Sequence, residues 1–473
     1  MAAGDVSLTG VISNGNVGPG VQSLFGAIRI SIGGTEETGI LEVMENQGPG
    51  IFAGTDLDFF TDGESEDESG TGIAITNQIK VRDNGAWGIL SISGDVFVNV
   101  DPDGHRTLPG LVSEISGNGN PDLNCWVLGE EGDPVTPDDG CNGGGGIGAP
   151  GGSIYMARVD VRGNLGPGVA AAADIDIRGI EAHYNQGPGI QSLFGSITIA
   201  PGGGPDEEGI FITNNEGPGI FTGADTLFDP GEIESGNEEI SPQSIIIKTP
   251  IQVSGNGGWG IFAEENGDVF INVDPDDRTG SLFQMESVIS ENGNPNHGCL
   301  FLDDAGELVT PSGQCDAGGV GAGQGHVFAA LVDISSNNGP GVATGGDVNI
   351  REGLLCENTT DLIRLGESNL DDATVCNETD SSDFLREVAA SATPEEITKP
   401  TPKADPTIQP TEDSTQTGDT EAAQPADDSS GGLRGGGCNA FSKGLIYVDG
   451  SWLALGILSL GMVFVRLRKN RRP

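Results

Sequence analysis

Two copies of one acidic segment are the first residues to weigh as chemistry. Asp101 and Asp103 close the stretch DVFVNVDPD, and Asp274 and Asp276 close its second copy, DVFINVDPD. Paired carboxylates can serve glycoside hydrolysis as acid and base. They can also gather oxygen ligands for Ca2+, and Asp and Pro are ordinary turn residues after a strand. A single active site should break the symmetry of a repeat, whereas these four residues follow it. A β-elimination would need a basic group, and Lys399, Lys403 and Lys443 fall in the C-terminal part of the chain. Arg158, Arg162 and Arg178 form the densest basic group elsewhere, and an outer-face role is expected for them. No GxSxG, HExxH, phosphate loop or dinucleotide fingerprint occurs. Ca2+ is therefore the one cofactor the residues suggest, at Asp101, Asp103, Asp274 and Asp276.

Charge excludes a further class. The 473 residues carry 71 Asp and Glu against 21 Lys and Arg, a formal charge of −50. Phosphate backbones would be repelled over the whole surface, so nucleic acid is not an expected partner. Such acidity suits a high-salt surface, where repulsion is screened within a few ångströms, or extensive calcium binding.

The elements that must position these residues come from repetition. The string Asn-x-Gly-Pro-Gly-Ile/Val starts at Asn16, Asn46, Asn164, Asn185, Asn215 and Asn337, with degenerate copies at Asn84, Asn118, Asn256 and Asn292. Apolar residues sit five and three positions before the Asn, as Leu41 and Val43 do before Asn46. That is strand periodicity. Pro19 presets φ for a tight turn, and Gly20 is expected to supply the positive φ of a type II turn. Asn tolerates the left-handed region, and its amides, stacked from coil to coil, would form an internal ladder. Three short strands and three turns fit one coil, with longer spacings absorbed by loop insertions. A longer repetition lies over this one. GVQSLFG at 20–26 returns as GIQSLFG at 189–195, so residues 8–165 and 178–338 read as a tandem duplication. Trp87 and Trp259 replace the turn proline at duplicated sites, where they would cap a coil edge or stack on sugar rings.

On these turns, residues 5–355 resemble right-handed parallel β-helix proteins, the pectin-lyase-like fold shared by pectate lyases and many bacterial surface proteins. The resemblance implies an all-β right-handed parallel solenoid and no particular activity. Each coil would bury apolar residues only against its neighbours.

Six of seven cysteines form local pairs: Cys125 with Cys141, Cys299 with Cys315, and Cys356 with Cys376. The first two pairs share a spacing and duplicated positions, which reads as disulfides stapling inserted loops in an oxidising, exported setting. The domain reading is a β-helix over 1–355 and a disulfide-containing cap or terminal coil over 356–392. A Pro/Thr/Ser/acid-rich stalk, expected to be disordered, covers 393–437, and an anchor covers 438–473. The anchor joins GGGC, ending at Cys438, to an apolar stretch near 445–465 and an Arg-rich end. A transmembrane helix there would keep the basic end cytoplasmic. The three-part tail resembles bacterial sorting signals, which implies that Cys438 is processed or lipidated. MAAGDVSLTG shows neither a basic n-region nor an apolar h-region, so upstream sequence is expected. The functional expectation is an anchored, non-catalytic surface solenoid that binds polysaccharide or matrix. The rival is a polysaccharide lyase or glycoside hydrolase of the β-helix type.

Overall fold

The structure, a computed structural model, describes residues 2, 4–31, 41–54, 72–120, 123, 127–128, 134–135, 144–202, 209–224, 243–264, 266–278, 281–303, 308–309 and 317–376. The described residues are all-β. Each coil contributes three strands, and each strand pairs in parallel with its equivalent one coil further on. Val6–Thr9, Ile28–Ser31, Ile73–Ile75 and Val96–Val98 begin the first column; Ile12–Asn14, Leu41–Met44, Ile79–Arg82 and Ser113–Ser116 begin the second. Both columns belong to one 20-stranded sheet, because the nine-residue strands Ile154–Arg162, Ile175–His183, Val327–Ser335 and Val348–Cys356 run through both. The third column is an 11-stranded sheet from Val21–Ser23 to Thr360–Arg364. At about 4.8 Å per strand it spans about 48 Å. This stacking is compatible with a parallel β-helix, as expected.

The core follows from alternation. Residues five and three before each ladder Asn point inward: Leu41, Val43, Ile79, Val81, Val159 and Val161 are all buried. Ile28, Ile73, Val96, Ile154, Ile175, Ile197, Ile245 and Val269 stack as one internal row, each in register with the next. β-branched side chains suit such rows because their stiff rotamers repeat without strain.

The asparagine ladder forms, and it is longer than the motif. From Asn16 the Nδ2 groups donate in turn to the Oδ1 of Asn46, Asn84, Asn118, Asn164, Asn185, Asn215, Asn256, Asn292, Asn337 and Asn358, at 2.6–3.0 Å. The run ends on Asp361, whose Oδ1 accepts from Asn358 Nδ2 at 2.9 Å. All these amides point the same way, so a carboxylate meets their donor end. Asn358 and Asp361 were not marked by the sequence motif.

Two turn expectations are corrected. The ladder asparagines are not left-handed; the residue before each one is, as at Glu45 (φ 55), Asp83 (φ 55), Tyr184 (φ 58) and Ser336 (φ 59). Gly20 and its equivalents lie outside the left-handed region too, so the Pro-Gly step is no type II turn. In that step Gly20 N donates to Pro49 O at 3.0 Å and Gly168 N to Pro188 O at 2.9 Å, each one rung on. Glycine is required there because a Cβ on Gly20 would lie 2.5 Å from Val43 Cγ1 and 2.7 Å from Asn46 Nδ2.

Both Trp residues turn out buried, Trp87 at 5% and Trp259 at 1% exposure, so neither is open to a sugar ring. They lie with Phe52, Leu90, Phe221 and Phe262 in two clusters outside the main core, and Trp259 stacks on Phe262 at 5.2 Å. Phe301, from the hairpin Phe301–Leu302 with Leu308–Val309, packs into the second cluster. The duplicated GxQSLFG motif explains itself here. Gln191 accepts from Leu302 N (2.9 Å) and donates to the carbonyls of Leu302 (2.6 Å) and Gly223 (2.9 Å), imitating a paired strand. Gln191→Ala should lower stability by about 1–2 kcal/mol and speed amide exchange at Leu302 roughly tenfold. Unchanged protection of Leu302 would refute this clamp.

Cys356 and Cys376 form a disulfide with Cα atoms 5.0 Å apart, and Cys299 is disulfide-bonded. Cys315, Cys125, Cys141 and Cys438 lie outside the described residues. So do the 393–437 stalk and the 438–473 anchor; among the described residues no helix is long and apolar enough to cross a membrane. Stacked strands continue past 355, through Ser368–Asp371 and Thr374–Val375.

Candidate functional site

The duplicated Asp segments form tight turns. Asp101 Oδ1 accepts from Asp103 N at 3.1 Å, and Asp274 Oδ1 accepts from Asp276 N at 3.1 Å. The main-chain oxygens of Asp101 and Asp274 accept from His105 N (2.8 Å) and Arg278 N (2.7 Å). Each turn thereby lays one side chain over a pair of rings on the first column. Phe97 and Tyr155 stack at 5.0 Å under His105, whose ring is 4.1 Å from Tyr155. Phe270 and Phe328 stack at 5.1 Å under Arg278, whose Cζ is 4.9 Å from the Phe328 ring, within cation–π range. Burial pushes the Tyr155 phenol up, and Asp95, Asp174 and Asp176 add to that against a lowering hydrogen bond with Ser153. The phenol is thus held neutral.

The two copies of the acidic turn do not come together. Val96–Val98 and Val269–Ile271 are five strand pairings apart in the first column, or about 24 Å at strand spacing. They cannot flank one glycosidic bond. Calcium at Asp101, Asp103, Asp274 and Asp276 rests on the sequence pattern.

A different cluster lies on the outer face of the second column. Outward positions are those four and two residues before each ladder Asn. In register these place Glu42 beside Lys80, Lys80 beside Glu114, Glu114 beside Asp160, and Asp160 beside Glu181. The neighbouring row runs Met44, Arg82, Ser116, Arg162, His183. Arg162 bridges Glu114 (2.9 Å) and Asp160 (3.0 Å). Partial burial works against its charge, but Asp160, Glu114 and Glu181 outweigh that and raise the guanidinium. With Arg162 47% exposed, these pairs contribute at most about 1 kcal/mol. His183 Nε2 stands 3.4 Å from Asp160 Oδ1 and 3.9 Å from Glu181 Oε2. Among the described residues, Asp160, Glu181 and His183 are the only trio of such side chains with donor atoms all within 4.8 Å.

This cluster breaks the duplication. Counted back from the equivalent asparagines, Lys80 and Arg82 become Gln252 and Ser254, and Glu114 becomes Val288. Asp160 and Arg162 become Asp333 and Ser335, while Glu181 and His183 become Leu354 and Cys356. The second half of the column thus keeps one carboxylate, Asp333, and otherwise presents an amide, hydroxyls and apolar groups where the first presents charge.

Of the arginines singled out from sequence, Arg162 joins this network, Arg178 pairs with Asp176 (3.5 Å), and Arg158 donates to Gly202 O (3.1 Å). They do not converge. Glu114, Asp160, Glu181 and His183 were missed, although their fixed offsets from the ladder Asn carried the signal.

No protein-family model, no curated protein and no solved structure matches this chain.

Proposed function

We propose that the chain is a right-handed parallel β-helix of the cell surface that binds an extended, repetitive ligand, polysaccharide or matrix, without chemically altering it. The observation that carries this reading is the outward row of the second column, where in-register positions recur at one strand spacing, about 4.8 Å. Such a row favours a ligand that repeats, each rung adding a weak contact. Right-handedness follows the chirality of parallel crossovers. The stalk and tail compositions support presentation on a membrane-anchored spacer with Cys438 as its processing point, which mass spectrometry of the mature C terminus tests. A charge of −50 argues against nucleic acid as a partner.

The second reading is a polysaccharide lyase or glycoside hydrolase. One observation favours it: the Asp160–Glu181–His183 cluster departs from the duplication as a single site would. Incubating the full-length chain with a polysaccharide panel separates the two. Affinity rising with oligosaccharide length, with the polymer recovered intact, is the expected result. Release of reducing ends or unsaturated products, abolished in Glu181→Gln, would establish the enzyme instead.

A further inference from the structure

The geometry points to a zinc-class divalent cation site formed by Asp160, Glu181 and His183. It lies on the same outward face as the proposed ligand row and is distinct from calcium at the Asp turns. Asp160 and Glu181 are direct partners on adjacent rungs, and His183 is the next outward residue after Glu181. The three donors therefore converge on one side of the sheet. A tetrahedral cation with bonds near 2.0–2.1 Å wants its donors roughly 3.3–3.4 Å apart. Nε2 of His183 already stands 3.4 Å from Asp160 Oδ1 and 3.9 Å from Glu181 Oε2, and with all three donors within 4.8 Å of one another an inward movement of Glu181 completes the set.

Asp160 is oriented for this. Its Oδ2 is held by Arg162 at 3.0 Å, and Arg162 is itself steered by Glu114 at 2.9 Å. That leaves Oδ1, closed to water and without a hydrogen-bond partner, on the side of His183. Such outer-shell support fixes ligating carboxylates in metal centres generally. One imidazole nitrogen with two carboxylates suits zinc and its neighbours, whereas calcium wants six to eight oxygens. Glu114, Asp160 and Glu181 against Arg162 leave an excess of negative charge to receive a dication. The duplication supplies an internal control. Asp333 Oδ1 also lacks a hydrogen-bond partner, but Leu354 and the disulfide-bonded Cys356 stand where the other two donors would be. The same backbone is thus built without the trio, so stability of the stack does not demand it.

The test uses the full chain, stripped with chelator and titrated with Co(II) by visible absorption and with Zn(II) by calorimetry. One saturable equivalent is expected, with Co(II) bands of low-symmetry N/O coordination. His183→Ala and Glu181→Gln should each weaken binding by on the order of 100-fold while leaving the circular dichroism of the metal-free protein unchanged. Asp333→Asn, Cys438→Ser and the double variant Asp101→Asn/Asp103→Asn should bind as the parent does. Absence of saturable binding overturns the assignment. So does a site lost in the Asp101/Asp103 or Cys438 variants, or one retained in His183→Ala.

Discussion

Asn185→Ala should destabilise the stack by about 4 kcal/mol, since each buried polar group left unpaired costs about 1–3 kcal/mol. Asn185 is fully buried. Its Oδ1 accepts from the backbone N (3.2 Å) and Nδ2 (2.9 Å) of Asn164, and its Nδ2 donates to Val161 O (3.2 Å) and Asn215 Oδ1 (2.9 Å). Alanine strands two donors on one neighbouring rung and a carbonyl on the same side. Water cannot reach them. Asn185→Asp should be worse at neutral pH, because a buried carboxylate would face the Asn215 oxygen. Its folded-state pKa would be raised, so this extra penalty should grow as pH rises above the ordinary carboxylate range and shrink as pH falls toward 4. Asn16→Ala, on an exposed rung, should cost about 1 kcal/mol or less. Urea denaturation followed by circular dichroism measures all three. A loss below about 1 kcal/mol for Asn185→Ala would show that the ladder is incidental to stability.

Gly219→Ala should cost about 3 kcal/mol, the upper part of the range for overpacking, although glycine to alanine outside the left-handed region usually stabilises by reducing unfolded-state freedom. The reversal comes from space alone. A Cβ on Gly219 would stand 2.6 Å from Gly260 O, 2.7 Å from Val253 Cγ1 and 2.9 Å from Asn256 Nδ2. Two of those atoms belong to the strand pairing and the ladder, so relief would have to break one of them. Gly4, which has nothing within 4 Å and no left-handed φ, is the control. Gly4→Ala should be neutral or slightly stabilising. Equal thermal midpoints for the Gly219 and Gly4 variants would contradict this account of the motif.

These two residues show where reading the chain succeeds and where it misleads. The Asn positions and the inward pairs before them were legible because both depend on alternation within a single strand. Gly20 was misread because its constraint comes from Val43 and Asn46, one coil away, and no local turn rule contains that neighbour. What buries Trp87 and Trp259 was not legible for a related reason: Leu302 and Phe301, from an inserted hairpin, join their clusters, and composition does not say where such a hairpin lies down. The rings beside the Asp turns were not legible as pairs, because Phe97 and Tyr155, like Phe270 and Phe328, are 58 residues apart in sequence.

By itself the sequence determined the rung: a strand period of two, set within a few residues, and at each corner an asparagine whose amide can pair with its own kind. Only the tertiary structure decided which side chains share a patch of surface. Glu114, Asp160 and Glu181 become neighbours because variable loops bring successive asparagines back into line across separations of 46 and 21 residues. Hydrogen bonding between rungs sets that alignment, and it is blind to the distance travelled along the chain.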